Sequence, residues 1–196
     1  MTDKEEAAIN QIFLQSCWDG NKEKVKACLT LEADVNRVGK ARGEPADKVP
    51  SCGLKKAAVG GFIDVVDLLL TVPGIDINQP NEIGDTTLHS SCYSTRNLSR
   101  IIVKLCGDPR IKLNEKDNSG RTPAFLAVKN GSLENMIALK NVPMVNWNIK
   151  NKRGNSPLML AVKNKNAEKI AELVKISGID LTTTNKSGQT LEQVAR

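Results

Sequence analysis

The chain has 196 residues, with 28 Lys and Arg against 22 Asp and Glu, one His and five Cys. At 40% apolar it is too hydrophobic for a disordered chain, and at 3% aromatic its core must be aliphatic. It has no run of about 18 apolar residues to span a membrane, and no apolar signal region follows its acidic start. A single His, an odd number of Cys and the lack of a C-x-x-C pair argue against a disulfide framework, a zinc site or a metalloenzyme, and for a reducing compartment, cytoplasmic or nuclear.

In chain order, Gln11–Cys17 and Val25–Leu29 predict a first pair of helices, followed by a short extended piece at Ala33–Asn36. A charged stretch with Gly and Pro, residues 37–50, predicts a long loop. The pattern then recurs. Helical segments at Cys52–Ala58 and Val65–Leu70 lead to an extended Ile75–Asn78. Gly84–Cys92 and Ile101–Leu105 lead to Ile111–Asn114. Gly120–Gly131 and Met136–Leu139 lead to Val145–Asn148. Gly154–Asn164 and Ile170–Val174 lead to Ile179–Thr182, and Gly188–Ala195 closes the chain. Each apolar run has the doublets of a helix that buries one side. Thr122 and Ser156 predict N-caps with Pro123 and Pro157 at the first helical position, and Gly61 and Gly131 predict chain reversals between helices. Cys17, Cys28, Cys92 and Cys106 read as small buried hydrophobes, while Cys52, in place of a Thr cap, is expected to be more exposed.

Taking residues 11, 52, 86, 122, 156 and 190 as equivalent, the spacings are 41, 34, 36, 34 and 34. With Gly120-Arg121-Thr122-Pro123-Ala124-Phe125-Leu126-Ala127 and Gly154-Asn155-Ser156-Pro157-Leu158-Met159-Leu160-Ala161 as its plainest copies, the chain resembles the ankyrin repeat family, whose unit is about 33 residues with a T-P-L-H-x-A signature. Only Leu88-His89 keeps the Leu-His pair. The resemblance implies an all-α fold, an ankyrin-repeat solenoid of stacked helix–turn–helix units with β-hairpin or turn fingers. It implies one domain over residues 1–196, with repeats at about 7–36, 47–80, 81–116, 117–150 and 151–184, a partial one at 185–196, and a long finger insertion at 37–50. The resemblance implies that the ring of His89, at the Leu-His position, braces the finger by bonding backbone.

The resemblance also implies a non-enzymatic protein–protein interaction module, a scaffold or regulatory adaptor, that meets its partner on fingertips and inner helices. Carried over position by position, it marks two aromatic contacts, Trp18 and Tyr93, and six basic ones, Arg121, Lys129, Lys150, Lys152, Arg153 and Lys163. Asp47 and Lys48 join the contacts of the N-terminal half, and Trp147 reads as a packed side chain. Leu70 and Asp76-Ile77-Asn78 resemble the context of asparagine hydroxylation in such repeats, marking Asn78; the plainer reading is that Asn78 bonds within its turn. Residues 112–196 hold 14 Lys and Arg against 7 Asp and Glu, whereas residues 1–111 hold 14 against 15. A patch of one sign steers an oppositely charged partner, so an acidic or aromatic segment is expected; the bland alternative is a solubilising face. The basic half also allows an anion-binding reading, to nucleic acid or acidic lipid, although no basic run or stacking platform supports it. No hydrolase elbow, phosphate loop, metalloprotease motif or Cys–His dyad occurs, so no catalytic residue, metal or cofactor is expected. A polar-ended repeat array is expected to be monomeric.

Overall fold

The computed structural model describes residues 2–45 and 49–196; Asp47 and Lys48 lie outside the described residues. The chain forms two compact units, Met1–Thr87 and Leu88–Arg196.

The first unit opens with α1 (Asp3–Asp19), which starts earlier than the apolar periodicity predicts. The reason is a capping box. Thr2 accepts from the Glu5 N–H while the Glu5 carboxylate accepts from the Thr2 N–H at 2.8 Å, and Asp3, Glu5 and Glu6 complement the helix dipole. Next come α2 (Lys22–Thr30), α3 (Gly53–Gly60) and α4 (Ile63–Leu70). Helices α1 and α3 form one layer and α2 and α4 the other. Phe13, Leu14, Val25, Leu54, Ala57, Ala58, Val65, Val66 and Leu69 fill the space between. Gly61 ends α3 at φ +84°, the left-handed backbone that favours glycine.

The long stretch after Asn36 is anchored at both ends by an antiparallel pair, β1 (Val38–Gly39) and β2 (Ser51–Cys52), with Val38 opposite Cys52. This pairing corrects the expectation for Cys52. It is 4% exposed and makes no side-chain cap bond to α3. The described part of the insertion lies against α1. Gln11 Nε2 donates to the Lys40 carbonyl at 3.0 Å, and the Arg42 N–H donates to Gln15 Oε1 at 2.6 Å. Glu44 Oε2 accepts from Lys56 Nζ at 2.5 Å, and both side chains are almost wholly buried.

Lys55 is buried beside that pair and donates from Nζ to the Asp85 carbonyl. Burial lowers its pKa to about 8, partly opposed by the nearby Asp85 carboxylate. The unfolded chain therefore binds this proton more tightly than the folded one. Between pH 8 and the ordinary lysine value of 10.5, stability should rise with pH as the buried cation discharges in the native state. The thiols of Cys17, Cys28, Cys92 and Cys106, whose pKa values burial raises, oppose it, so the effect is read as a difference: in urea titrations across this range the slope of stability against pH should be more positive in the parent chain than in Lys55→Met. An unchanged slope in the variant would assign the effect elsewhere.

The second unit contains α5 (Thr87–Tyr93, the boundary falling one residue into it), α6 (Ser99–Cys106), α7 (Pro123–Lys129), α8 (Leu133–Lys140), α9 (Pro157–Lys163), α10 (Ala167–Leu173) and α11 (Leu191–Ala195). Helices α7, α9 and α11 pack in one layer and α6, α8 and α10 in a second. Thr122 and Ser156 accept from the N–H groups of Phe125 and Met159, each at 3.2 Å, and the prolines take the first helical position. Gly131 departs from expectation. Its φ is not positive; a Cβ there would stand 2.1 Å from the Cys92 carbonyl, so close approach of backbone requires it. Trp147 is 3% exposed, a packed side chain.

Most of the predicted extended pieces are turns. At Asp34, Asp76, Asn146 and Asp180 the side-chain oxygen accepts from the N–H two residues on. Among the described residues only the first finger carries paired strands. The four later fingers share one device: Asn81, Asp117, Asn151 and Asn185 each accept through Oδ1 from the N–H groups two and four residues on. A left-handed glycine completes each turn, at Gly84, Gly120, Gly154 and Gly188.

Candidate interaction face

In the second unit α7, α9 and α11 are each preceded by a finger, and α5, α7 and α9 are each followed by a short turn to an outer helix. The finger of Asp117–Arg121 is braced from α5, where the buried His89 ring bonds the Arg121 carbonyl through Nε2 at 3.0 Å. Neighbouring fingers join through backbone: Lys152 N–H donates to the Ser119 carbonyl at 3.0 Å and Lys186 N–H to the Arg153 carbonyl at 3.2 Å. A Cβ at Gly120 would meet the Lys152 backbone nitrogen at 2.9 Å, so glycine here serves both the turn and the stacking of fingers. The tips therefore stand in a row that presents Lys152, Arg153 and Lys186, all exposed.

A second row lies at the other end of the inner helices. Tyr93, Lys129 and Lys163 hold the same register, seven residues after Thr86, Thr122 and Ser156. Tyr93 is 41% exposed, and Lys129 Nζ lies 5.6 Å from its ring centroid. Asn130 Nδ2 donates to the Tyr93 carbonyl at 3.1 Å, fixing the α7 end beside the α5 end. With about 1.5 Å of rise per residue, these short helices put the two rows roughly 10 Å apart.

The marked residues thus divide. Lys129, Lys152, Arg153 and Lys163 are exposed, and none has an ion pair among the described residues. Arg121 is half-buried and its Nε donates to the buried Asp117 carboxylate, so part of its charge is spent within its own finger. Lys150 donates from Nζ to the Thr184 carbonyl at 2.8 Å, tying two repeats together. Trp18 is partly buried near the end of α1 in the first unit. Asn78 is half-buried, its N–H on Asp76 Oδ1 at 3.0 Å. At the same register Asn114 and Asn148 bridge to the next repeat with both amide atoms.

Two buried side chains that hold this face together carry no motif. Asn135 in α8 has its amide on the α5–α6 turn. Lys169 in α10, at the equivalent register, donates to the carbonyls of Ala127, Val128 and Gly131 at 3.0, 3.0 and 2.7 Å. Burial lowers the Lys169 pKa. Its cation sits on the negative end of α7, so that end is already served and the Lys129 head is left to the Tyr93 ring and solvent.

No cluster of His, Cys, Asp or Glu suited to a metal occurs among the described residues, and none of their helices is long and apolar enough to cross a membrane. Cys17, Cys28, Cys52 and Cys92 are buried and Cys106 half-buried, and burial pushes the Cys106 thiol up to about 12. That places the thiols with the core.

Residues 54–142 match the family model for ankyrin repeats, in three copies. The chain is also 35% identical over 82 residues to the bovine (Bos taurus) SMC5-SMC6 complex localization factor protein 1; the match covers 41% of this chain and 8% of that protein. Ankyrin repeats indicate a protein–protein interaction module. The segment from α3 to α8 is thus made of ankyrin repeats, and the chain has the all-α ankyrin-repeat fold.

Proposed function

We propose that the chain is a non-enzymatic adaptor that docks an acidic segment of a partner protein on the fingers and inner-helix ends of residues 88–196. One observation carries this reading, the segregation of charge by repeat position. Segments 116–131, 150–165 and 184–196 form fingers and inner helices, and they hold ten Lys and Arg and two carboxylates, the buried Asp117 and Glu192, which pairs with Arg196. Segments 132–149 and 166–183, the outer helices and the turns that follow, hold three Lys and four Asp and Glu. A face that only kept the chain soluble needs no such sorting. Helix dipoles favour cations in the last turns of α7 and α9, but by well under about 1 kcal/mol at exposed sites, and they do not act at the fingertips. One-sign surfaces raise association rates and select for an opposite charge.

A nucleic-acid reading lacks a platform for bases. On the second unit Tyr93 is the exposed aromatic, while Trp147 and Phe125 are each 3% exposed. The name of the bovine relative, a localization factor for a complex, accords with adaptor work.

Fluorescence anisotropy with an Asp/Glu-rich peptide tests the reading. Lys152→Glu combined with Arg153→Glu should weaken binding about tenfold or more, and added salt should weaken it in the parent chain. Both side chains are exposed, so the fold should be untouched. Undiminished binding by the double variant would remove the fingertips from the interface.

A further inference from the structure

We propose that the turn after α8 is a second docking surface and that a second copy of this chain occupies it, Met144 of each copy entering the hollow beside Met144 of the other. Met144 has φ +67°, a left-handed backbone that side chains other than glycine adopt rarely. Asparagine bridges fix its register. Asn36, Asn114 and Asn148 each donate through Nδ2 to a carbonyl of the following repeat, at Gly74, Met144 and Gly178. The two glycines hold φ +79° and +76°, so the repeat imposes this conformation, and glycine takes it without strain. Met144 is also 86% exposed, so its side chain adds almost nothing to the packing of its own chain. Among the described residues, the other non-glycine residues with left-handed φ are Glu32 and Lys165, charged side chains that water serves well. A strained apolar side chain with no use inside the chain has its use outside it.

Shape and charge select the occupant. A hollow of about 240 Å³ lies between the turns that follow α8 and α10, walled by Met144, Val145, Trp147, Ile176 and Ile179 with uncharged neighbours. A projecting side chain beside a recess is self-complementary under a two-fold axis, each copy supplying one knob and one hole. Methionine, unbranched and flexible, fits an irregular recess. Two copies of a chain of net charge +6 repel unless they meet where that charge is absent. Residues 141–149 hold no charged side chain, and residues 174–182 hold one Lys and one Asp. None of the hollow's residues belongs to the basic face proposed above.

Sedimentation equilibrium of the 196-residue chain, with reductant present, tests this over a rising concentration series. The parent chain should dimerise reversibly, and added salt should not weaken the dimer, in contrast to acidic-peptide binding. Met144→Gly should weaken dimerisation about tenfold or more while raising the urea midpoint, because the interface loses its central anchor and the backbone loses its strain. Ser177→Lys, at an exposed residue of the hollow, should weaken dimerisation by bringing like charges together. A dimer that Met144→Gly leaves undiminished would overturn the proposal. So would a parent chain that stays monomeric at every concentration; if that monomer binds an uncharged Leu- and Phe-rich peptide through Met144, the occupant is an apolar segment of a different protein.

Discussion

Replacing Asn135 with Ala should lower the unfolding free energy by about 2–4 kcal/mol, the sum of a buried N–H left without its acceptor and a small cavity. Asn135 is fully buried, and its two amide atoms reach four backbone groups. Oδ1 accepts from the Leu98 N–H at 2.7 Å, at the start of α6, and Nδ2 faces the carbonyls of Ser94 and Arg96 at 2.9 Å and of Ser91 at 3.3 Å. The turn it holds runs over residues 94–98, two residues longer than the 130–132 turn between α7 and α8. The Ser94 carbonyl keeps a partner in the Ser132 N–H, so the loss falls mainly on the buried Leu98 N–H. Urea unfolding of the variant gives the value directly. Asn135→Asp should fare no better, because it removes the donors and buries a charge. A cost below about 1 kcal/mol would mean that water enters the turn and replaces the amide.

The split between what the sequence makes legible and what it hides follows the range of the interactions. Thr122-Pro123 and Ser156-Pro157 act within one helical turn, so their chemistry is readable in a few consecutive letters. The finger residues Asn81, Asp117, Asn151 and Asn185 stand five positions before Thr86, Thr122, Ser156 and Thr190, a fixed offset that a register search finds once the anchor is known. The Thr2–Glu5 capping box is equally local and explains why α1 runs past its apolar periodicity. Asn135 and Lys169 are of another kind. They are an amide and an ammonium at one register, each reaching back some 40 residues to carbonyls of the preceding repeat. Two residue types that meet one demand leave no common letter to detect. For the candidate face, the sorted charge was readable by position. The engagement of Arg121 with Asp117 and of Lys150 with Thr184 was not, because it depends on how one finger lies beside the next.

The same distinction governs the insertion after Asn36. Its length suggests a free functional loop, yet Glu44 reaches into the first unit and neutralises Lys56 with both side chains almost wholly out of water, the side chains 3% and 0% exposed. Glu44 Oε2 also accepts from the Ala41 N–H at 2.9 Å, which closes the loop on itself and sets the carboxylate where the lysine needs it. Removing one partner of such a pair leaves an uncompensated buried charge, which costs about 3–5 kcal/mol. Glu44→Ala should therefore destabilise the chain by that amount, although the residue lies in a loop. Lys56→Met combined with Glu44→Leu should recover most of the loss, since a buried ion pair exchanged for apolar side chains of similar volume is near neutral or better. Chemical denaturation of the three variants separates the cases. If Glu44→Ala is as stable as the parent chain, Lys56 must find water or another acceptor, and the insertion is then not pinned by this pair. If the double variant is no better than Glu44→Ala, the stabilisation comes from how the loop packs over Gln11 and Gln15 of α1, and the charge of Lys56 is incidental to it.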